Sequence, residues 1–232
     1  MTEIARLPDA DDAFASSLRG FGPAGIVAIV LILATGNIVL PNMVVLPVGA
    51  LLVLAWVWVS RTPWPDIGYV RPKNWPLSIA VALVGGVALK LLMKSIVMPL
   101  LGADPINHAY HFLAGNRSLL PNAIVAMFVV GFAEETMFRG FFFERLQKLF
   151  GSGAAARMAI ILVTSVWFAL GHYSSQGLAG SEQALLTGLV FGTTYALTRS
   201  IYPVMIAHAA FDLAALAIIY CDLESATAHL FM

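Results

Sequence analysis

The sequence predicts an all-α fold, a polytopic membrane helix bundle of about seven transmembrane helices with the N-terminus inside and the C-terminus outside. Three observations predict it. Of the 232 residues, 59% are hydrophobic and only 11% are charged, whereas soluble domains carry about 25% charged residues. Apolar runs close to the ~20 residues that cross a bilayer recur along the chain. Basic residues collect on one side of the predicted spans.

The chain divides into a polar N-terminal tail, residues 1–22, and a single transmembrane domain, residues 23–232. The tail is rich in acidic residues and has no apolar run, so it does not resemble a cleavable signal peptide. Proline and glycine separate the spans of the domain. Residues 24–40, 43–60, 77–100, 122–143, 157–173, 183–198 and 202–220 are the predicted spans. The first two, joined around Pro41, could instead form one broken hairpin.

The basic residues predict the orientation. With the N-terminus inside, the outer loops hold only Arg117, and the excess of positive charge is cytoplasmic. The predicted cytoplasmic residues are Arg6, Arg19, Arg61, Arg71, Lys73, Arg145, Lys148, Arg157 and Arg199. Lys90 and Lys94 fall inside the third span. We expect them to snorkel toward the outer interface, with contact to a substrate or a lipid headgroup as the alternative.

Composition also limits the function. The formal net charge is zero, which gives no argument for a nucleic-acid partner. Cys221 is the one cysteine, so an internal disulfide and a cysteine-based metal cluster are excluded. Gly188 and Gly192 in the sixth span have the spacing of a close-packing face between helices.

Three charges lie inside the fourth span, in the stretch GFAEETMFRG. A charged side chain near the bilayer centre costs on the order of 3 kcal/mol, so such residues pair or face a cavity. Glu135 and Arg139 are four residues apart, in the favourable order for an intrahelical ion pair. Glu134 points about 100° away and has no partner in its own helix. The alternative is a structural role, in which the three charged residues form a buried ion-pair cluster between helices.

Two imidazoles lie in other spans. His172 ends the stretch WFALGH, one helical turn after Phe168. His208 opens HAAFD, in which Asp212 lies four residues later and within reach of a hydrogen bond to the ring. One carboxylate, two imidazoles and an orienting acid can activate a water molecule, stabilise an oxyanion or bind a metal ion.

The motifs EETMFR, FALGH and HAAFD resemble, in order, the EExxxR, FxxxH and HxxxN/D signatures of the CPBP family of intramembrane endopeptidases. The resemblance covers roughly residues 66–220, the expected peptidase core. It implies a cavity within the bundle and Glu134 as general base. It also implies that His172 and His208 hold the water and stabilise the oxyanion, or that they coordinate a metal. Asp212 stands where the prenyl endopeptidases have asparagine. Glu135 and Arg139 would be the supporting pair.

The resemblance implies an intramembrane endopeptidase that cuts a membrane-associated peptide or lipidated peptide. Two mechanisms stay open, one with glutamate-activated water and one assisted by a divalent metal such as zinc. Membrane lipid is an expected partner, nucleic acid is not, and the expected location is a bacterial inner membrane. The alternative is a non-catalytic membrane protein, either an immunity factor or a cation or proton carrier, because such proteins also bury acids and imidazoles.

Overall fold

The computed structural model describes residues 10–35 and 45–231. Within these ranges every regular element is a helix, so the predicted all-α fold is confirmed. Residues 1–9 of the predicted N-terminal tail lie outside the described residues. The predicted joint around Pro41, between the first two spans, also lies outside them.

The first helices include one in the segment predicted to be a tail. Helix α1 covers Ala10–Arg19, and α2, Pro23–Thr35, follows at a bend of 54°. Helix α3 covers Val45–Val59, and its Trp56 donates a hydrogen bond from Nε1 to the Leu18 carbonyl oxygen at 3.1 Å. The end of α1 is therefore attached to the bundle.

Helix α4 runs from Trp75 to Leu100 and contains a π-helical turn at Met93–Val97. It begins where the side chain of Asn74 accepts a hydrogen bond from the Leu77 N–H at 3.1 Å, with a proline in the first turn. Both features favour a helix start. A short 3₁₀ turn, Trp64–Ile67, precedes α4.

Helix α5, Leu120–Glu135, continues into a π-helical segment, Thr136–Phe142, and then into α6, Phe143–Phe150. Segments of π-helix are rare and often occur at functional sites. This one begins directly after the two glutamates. Its phenylalanines are buried. Phe138 packs edge-on against Phe168, with the ring centroids 5.0 Å apart, and so connects this segment to a later helix.

Helix α7, Ala154–Thr198, contains both the fifth and the sixth predicted spans. Its backbone leaves the helical region at Gly177, where φ is 66° and ψ is −162°. Only glycine adopts this conformation readily.

The two arms of α7, residues 154–176 and 178–198, pack against each other in antiparallel order. A Cβ atom built on Gly188 would lie 3.1 Å from Ser165, and one on Gly192 would lie 3.3 Å from Ile161. The close-packing face predicted for these two glycines is confirmed. The chain therefore reverses at Gly177, and α7 is a hairpin.

Helix α8 covers Tyr202–Tyr220, with a proline in its first turn, and α9 covers Glu224–Ala228. Helices α4 and α8 pack closely, since a Cβ atom on Gly86 would lie 2.2 Å from the Ala207 carbonyl oxygen. The connection between α4 and α5 contains one 3₁₀ turn, His111–Leu113.

Among the described residues, three helices are long and apolar enough to cross a membrane, namely α4, α7 and α8. Helices α1 and α2 would together make a fourth, broken span, and α3 is apolar but shorter. Helices of this length and composition identify an integral membrane protein. The count of seven spans and the orientation stay predictions.

Candidate functional site

Four of the predicted site residues line one cavity of about 190 Å³ between helices α4, α5, α7 and α8. They are Glu134 of α5, His172 of the first arm of α7, and His208 and Asp212 of α8. Residues from three separate helices thus meet in one hollow, as the sequence predicted. The other two predicted residues, Glu135 and Arg139, lie behind this wall.

Glu135 and Arg139 form a fully buried ion pair. Arg139 donates a hydrogen bond from Nη1 to Glu135 Oε1 at 2.8 Å, and the two side chains are 1% and 0% exposed. Its Nη2 donates to the Gly188 carbonyl oxygen at 3.2 Å, and its guanidinium carbon lies 5.0 Å from the centre of the Phe168 ring. The pair therefore links the π-helical segment to both arms of α7.

His208 is oriented by Glu135. Its Nδ1 lies 2.7 Å from Glu135 Oε1, a hydrogen bond in which the ring donates to the carboxylate. Its Nε2 lies 3.6 Å from Glu134 Oε2 and 3.5 Å from Asp212 Oδ2. The sequence spacing predicted that Asp212 would accept the hydrogen bond from the ring. The observed acceptor is Glu135, and Asp212 faces the opposite ring nitrogen.

His172 is fixed by its own helix. Its Nδ1 donates to the Phe168 carbonyl oxygen at 2.8 Å, and its ring centre lies 4.5 Å from that of Phe168. A neutral imidazole that donates through Nδ1 has its lone pair on Nε2. His172 therefore offers an acceptor nitrogen to the cavity that it lines.

Glu134 is buried, but it lacks the hydrogen bonds that Glu135 accepts from Arg139 and His208. It is 2% exposed, and its Oε2 has no hydrogen-bond partner among the described residues. No ion pair joins it to Arg139 in the described part of the chain. A buried carboxylate oxygen without a partner is costly, so a water molecule or a ligand is the expected complement.

The cavity also contains side chains that sequence reasoning did not assign to the site. Lys90 of α4 is 6% exposed and donates to Gln183 Oε1 at 3.0 Å. The prediction that Lys90 snorkels toward the interface is therefore wrong. Gln176 donates to the hydroxyl of Tyr110 at 3.3 Å. Lys90 and Gln183 are polar residues within predicted apolar spans, and this feature of the sequence could have identified them as candidates for the site. Tyr110 lies in a loop and gave no such signal.

The candidate site contains both carboxylate and imidazole side chains. Carboxylates and imidazoles are common zinc ligands. Within the described ranges, however, no group of three or more His, Cys, Asp or Glu side chains has an arrangement that would hold a metal ion. The described residues therefore do not fit a preformed metal site.

Residues 116–214 match the family model described as Type II CAAX prenyl endopeptidase Rce1-like. The CPBP resemblance predicted from the three motifs is confirmed over this part of the chain, which includes all six predicted site residues. Residues 116–214 are thus similar to a family of prenyl endopeptidases. No curated protein and no solved structure matches the chain.

Proposed function

We propose that this chain, through its Rce1-like domain at residues 116–214, hydrolyses a peptide bond of a membrane-associated substrate by means of a water molecule that Glu134 activates. One observation carries the proposal. The carboxylate of Glu134 is buried, free of Arg139 and 3.6 Å from the ring of His208, in a cavity that His172 also lines. A general base needs such an unpaired acceptor close to its reaction partners.

The two histidines have different roles in this mechanism. His172 accepts a hydrogen bond from the water at Nε2, because its Nδ1 proton is engaged by the Phe168 carbonyl. His208 is fixed by Glu135 through Nδ1. As an imidazolium it donates from Nε2, and Asp212 at 3.5 Å stabilises that positive charge. Glu135 and Arg139 act as positioning residues through His208.

The reaction then follows in two steps. Glu134 takes a proton from the water as the water oxygen bonds to the carbonyl carbon, and the Nε2–H of His208 donates to the resulting oxyanion. When the tetrahedral intermediate collapses, the C–N bond breaks. The proton held by Glu134 passes to the departing amine nitrogen, which restores the carboxylate.

The proposed substrate is a peptide or a lipidated peptide that reaches the cavity from the membrane, with lipid as the surrounding partner. The long apolar helices make the protein an integral membrane protein. A bacterial inner membrane and the N-in, C-out orientation are part of the proposal.

A cation or proton carrier is the competing function, since a second cavity of about 440 Å³ shares lining residues with the first. Two lysines, Lys90 and Lys94, line that second cavity. Their positive charges oppose the passage of cations. We therefore favour the peptidase.

The test is a cleavage assay in proteoliposomes with a library of acylated and unacylated membrane peptides, read by mass spectrometry. We expect the wild type to cleave and Glu134→Gln to be slower by on the order of 10³-fold, the usual scale for loss of a general base. Asp66→Asn, an exposed acid far along the chain from the motifs, is the control and should cleave like the wild type. Equal cleavage by Glu134→Gln, or no cleavage by the wild type, would overturn the proposal.

A further inference from the structure

Lys90 is a buried cation whose hydrogen-bond acceptor is an uncharged side chain. Its side chain lies in the middle of α4 and is 6% exposed. Its Nζ donates to the neutral amide oxygen of Gln183 at 3.0 Å and lies 4.9 Å from the centre of the Phe211 ring. Among the described residues it forms no ion pair, whereas Lys94, one turn later, lies 3.8 Å from Glu224.

Such an arrangement points to a missing ligand. Burying an ammonium group costs several kcal/mol unless it is paired and hydrogen-bonded. An ammonium has three N–H donors. Gln183 accepts a hydrogen bond from Lys90 and the face of the Phe211 ring contacts its charge, but together these contacts do not satisfy all three donors. The rest of the group faces the two cavities that it lines.

Lys90 also lies near the proposed reaction centre. Gly86 packs on Ala207, and Lys90 packs on Phe211, so α4 and α8 run in the same direction. Measured along the axis of α8, Lys90 therefore lies about one helical turn, or about 5 Å, past Ala207 and His208 toward the C-terminal end of that helix. About two residues of extended peptide cover such a distance.

The charges in the cavity make this position selective for anions. Glu134 and Asp212 line the first cavity, and they repel a ligand anion at their own positions. Lys90 is the one lysine or arginine side chain that lines that cavity in the described part of the chain. An anionic group of a bound peptide is therefore stabilised by contact with Lys90 and disfavoured next to the carboxylates of Glu134 and Asp212.

We propose that Lys90, supported by Gln183, is a specificity-determining residue that binds a carboxylate of the substrate a short distance from the scissile bond. This proposal rests on the proposed peptidase function, since it assumes that a peptide enters the cavity. Peptides carry carboxylates at the C-terminus and on Asp and Glu side chains, and Lys90 recognises the chemistry that they share.

Binding can be measured apart from cleavage by using Glu134→Gln protein in lipid nanodiscs. The probes are three fluorescent, N-acylated apolar hexapeptides, which differ only at the C-terminal end: a free carboxylate, an amide, and an amide whose last residue is aspartate. Fluorescence anisotropy gives a dissociation constant for each. The same probes are applied to protein that also carries Lys90→Met or Lys90→Arg.

We expect the free carboxylate to bind roughly ten- to a hundredfold more tightly than the amide, the range for a hydrogen bond to a charged group. Lys90→Met, which keeps the length of the side chain, should reduce this ratio to near one, and Lys90→Arg should retain part of it. If the aspartate probe binds like the free carboxylate, a side-chain carboxylate is also accepted. If it binds like the amide, the C-terminal carboxylate is the ligand.

Equal binding of all three probes, a preference for the amide, or no binding of any probe would overturn the role of Lys90. So would a carboxylate preference that Lys90→Met leaves intact. The comparison of the probes does not depend on the folding of a Lys90 variant. Failure of the two proposals is distinguishable, because cleavage without a carboxylate preference rejects only the anion site. A carboxylate preference without cleavage rejects the peptidase and leaves Lys90 as a carboxylate-binding residue without a role in cleavage.

Discussion

At the scale of single residues, the two adjacent glutamates have opposite surroundings. Glu135 accepts hydrogen bonds from Arg139 and from His208. The Oε2 atoms of both glutamates lack a hydrogen-bond partner among the described residues, but Glu134 lines the cavity and Glu135 does not. Successive residues of a helix point about 100° apart, which is enough to separate a structural carboxylate from a free one. The two positions should therefore respond differently to the same substitution.

Glu135→Gln should lower the free energy of unfolding by about 3–5 kcal/mol, because it leaves the buried Arg139 without its counterion. Glu134→Gln removes a carboxylate that has no ion pair with Arg139 and lies 3.6 Å from His208, so its loss of stability should be smaller than that of Glu135→Gln. Thermal unfolding of both variants in the same detergent measures the contrast. Equal losses of stability would show that Glu134 is also part of the ion-pair network.

At the scale of elements, the contact between α4 and α8 determines how Lys90 stands relative to His208. Gly86 makes this contact possible, since a side chain there would meet the Ala207 carbonyl oxygen at 2.2 Å and the Ala210 Cβ at 2.9 Å. Small residues commonly allow such close approach of membrane helices. The neighbouring Gly85 has no atom within 4 Å of its Cβ position in the described structure.

Gly86→Ala should push α4 away from α8 and so reduce both thermal stability and cleavage, with an overpacking cost of about 1–3 kcal/mol. Gly85→Ala, the matched control, should be neutral or slightly stabilising because alanine favours the helix. Unfolding temperature and cleavage rate are measured for both. A loss of the same size in Gly85→Ala would mean that helix propensity, and not the contact with Ala207, explains the effect.

At the scale of the whole molecule, one buried carboxylate ties the C-terminal helix α9 to the connection between α4 and α5. Glu224 is 1% exposed and accepts hydrogen bonds from the backbone N–H of Asn107 and from His111, each at 2.8 Å. Lys94 lies 3.8 Å from it. Asn107 also lines both cavities, so this tie holds a wall of the candidate site.

Glu224→Gln should loosen the 103–113 connection, because a neutral amide cannot replace the charged acceptor of these bonds. Hydrogen–deuterium exchange in a detergent micelle should show faster exchange over residues 103–113 than in the wild type. Asp222→Asn, an exposed change two residues away, should leave the rate unchanged. Faster exchange across all helices instead would indicate general destabilisation and contradict a local tie.

The sequence by itself determined the features that depend on composition and on spacing within one helix. Apolar runs determined the helical, membrane-spanning elements. The four-residue spacing of Glu135 and Arg139 determined their ion pair, and three short motifs determined the resemblance to the protease family. These features are readable because helix geometry fixes which neighbours along the chain share a face.

Only the tertiary structure decided the contacts between helices. In the structure, Nδ1 of His208 donates to Glu135 and not to Asp212. Lys90 is buried against Gln183, and the chain reverses direction at Gly177. These partners are 73 and 93 residues apart in the chain. The rotation and depth at which helices pack decide which side chains meet, and periodicity within a helix carries no information about its partner's register.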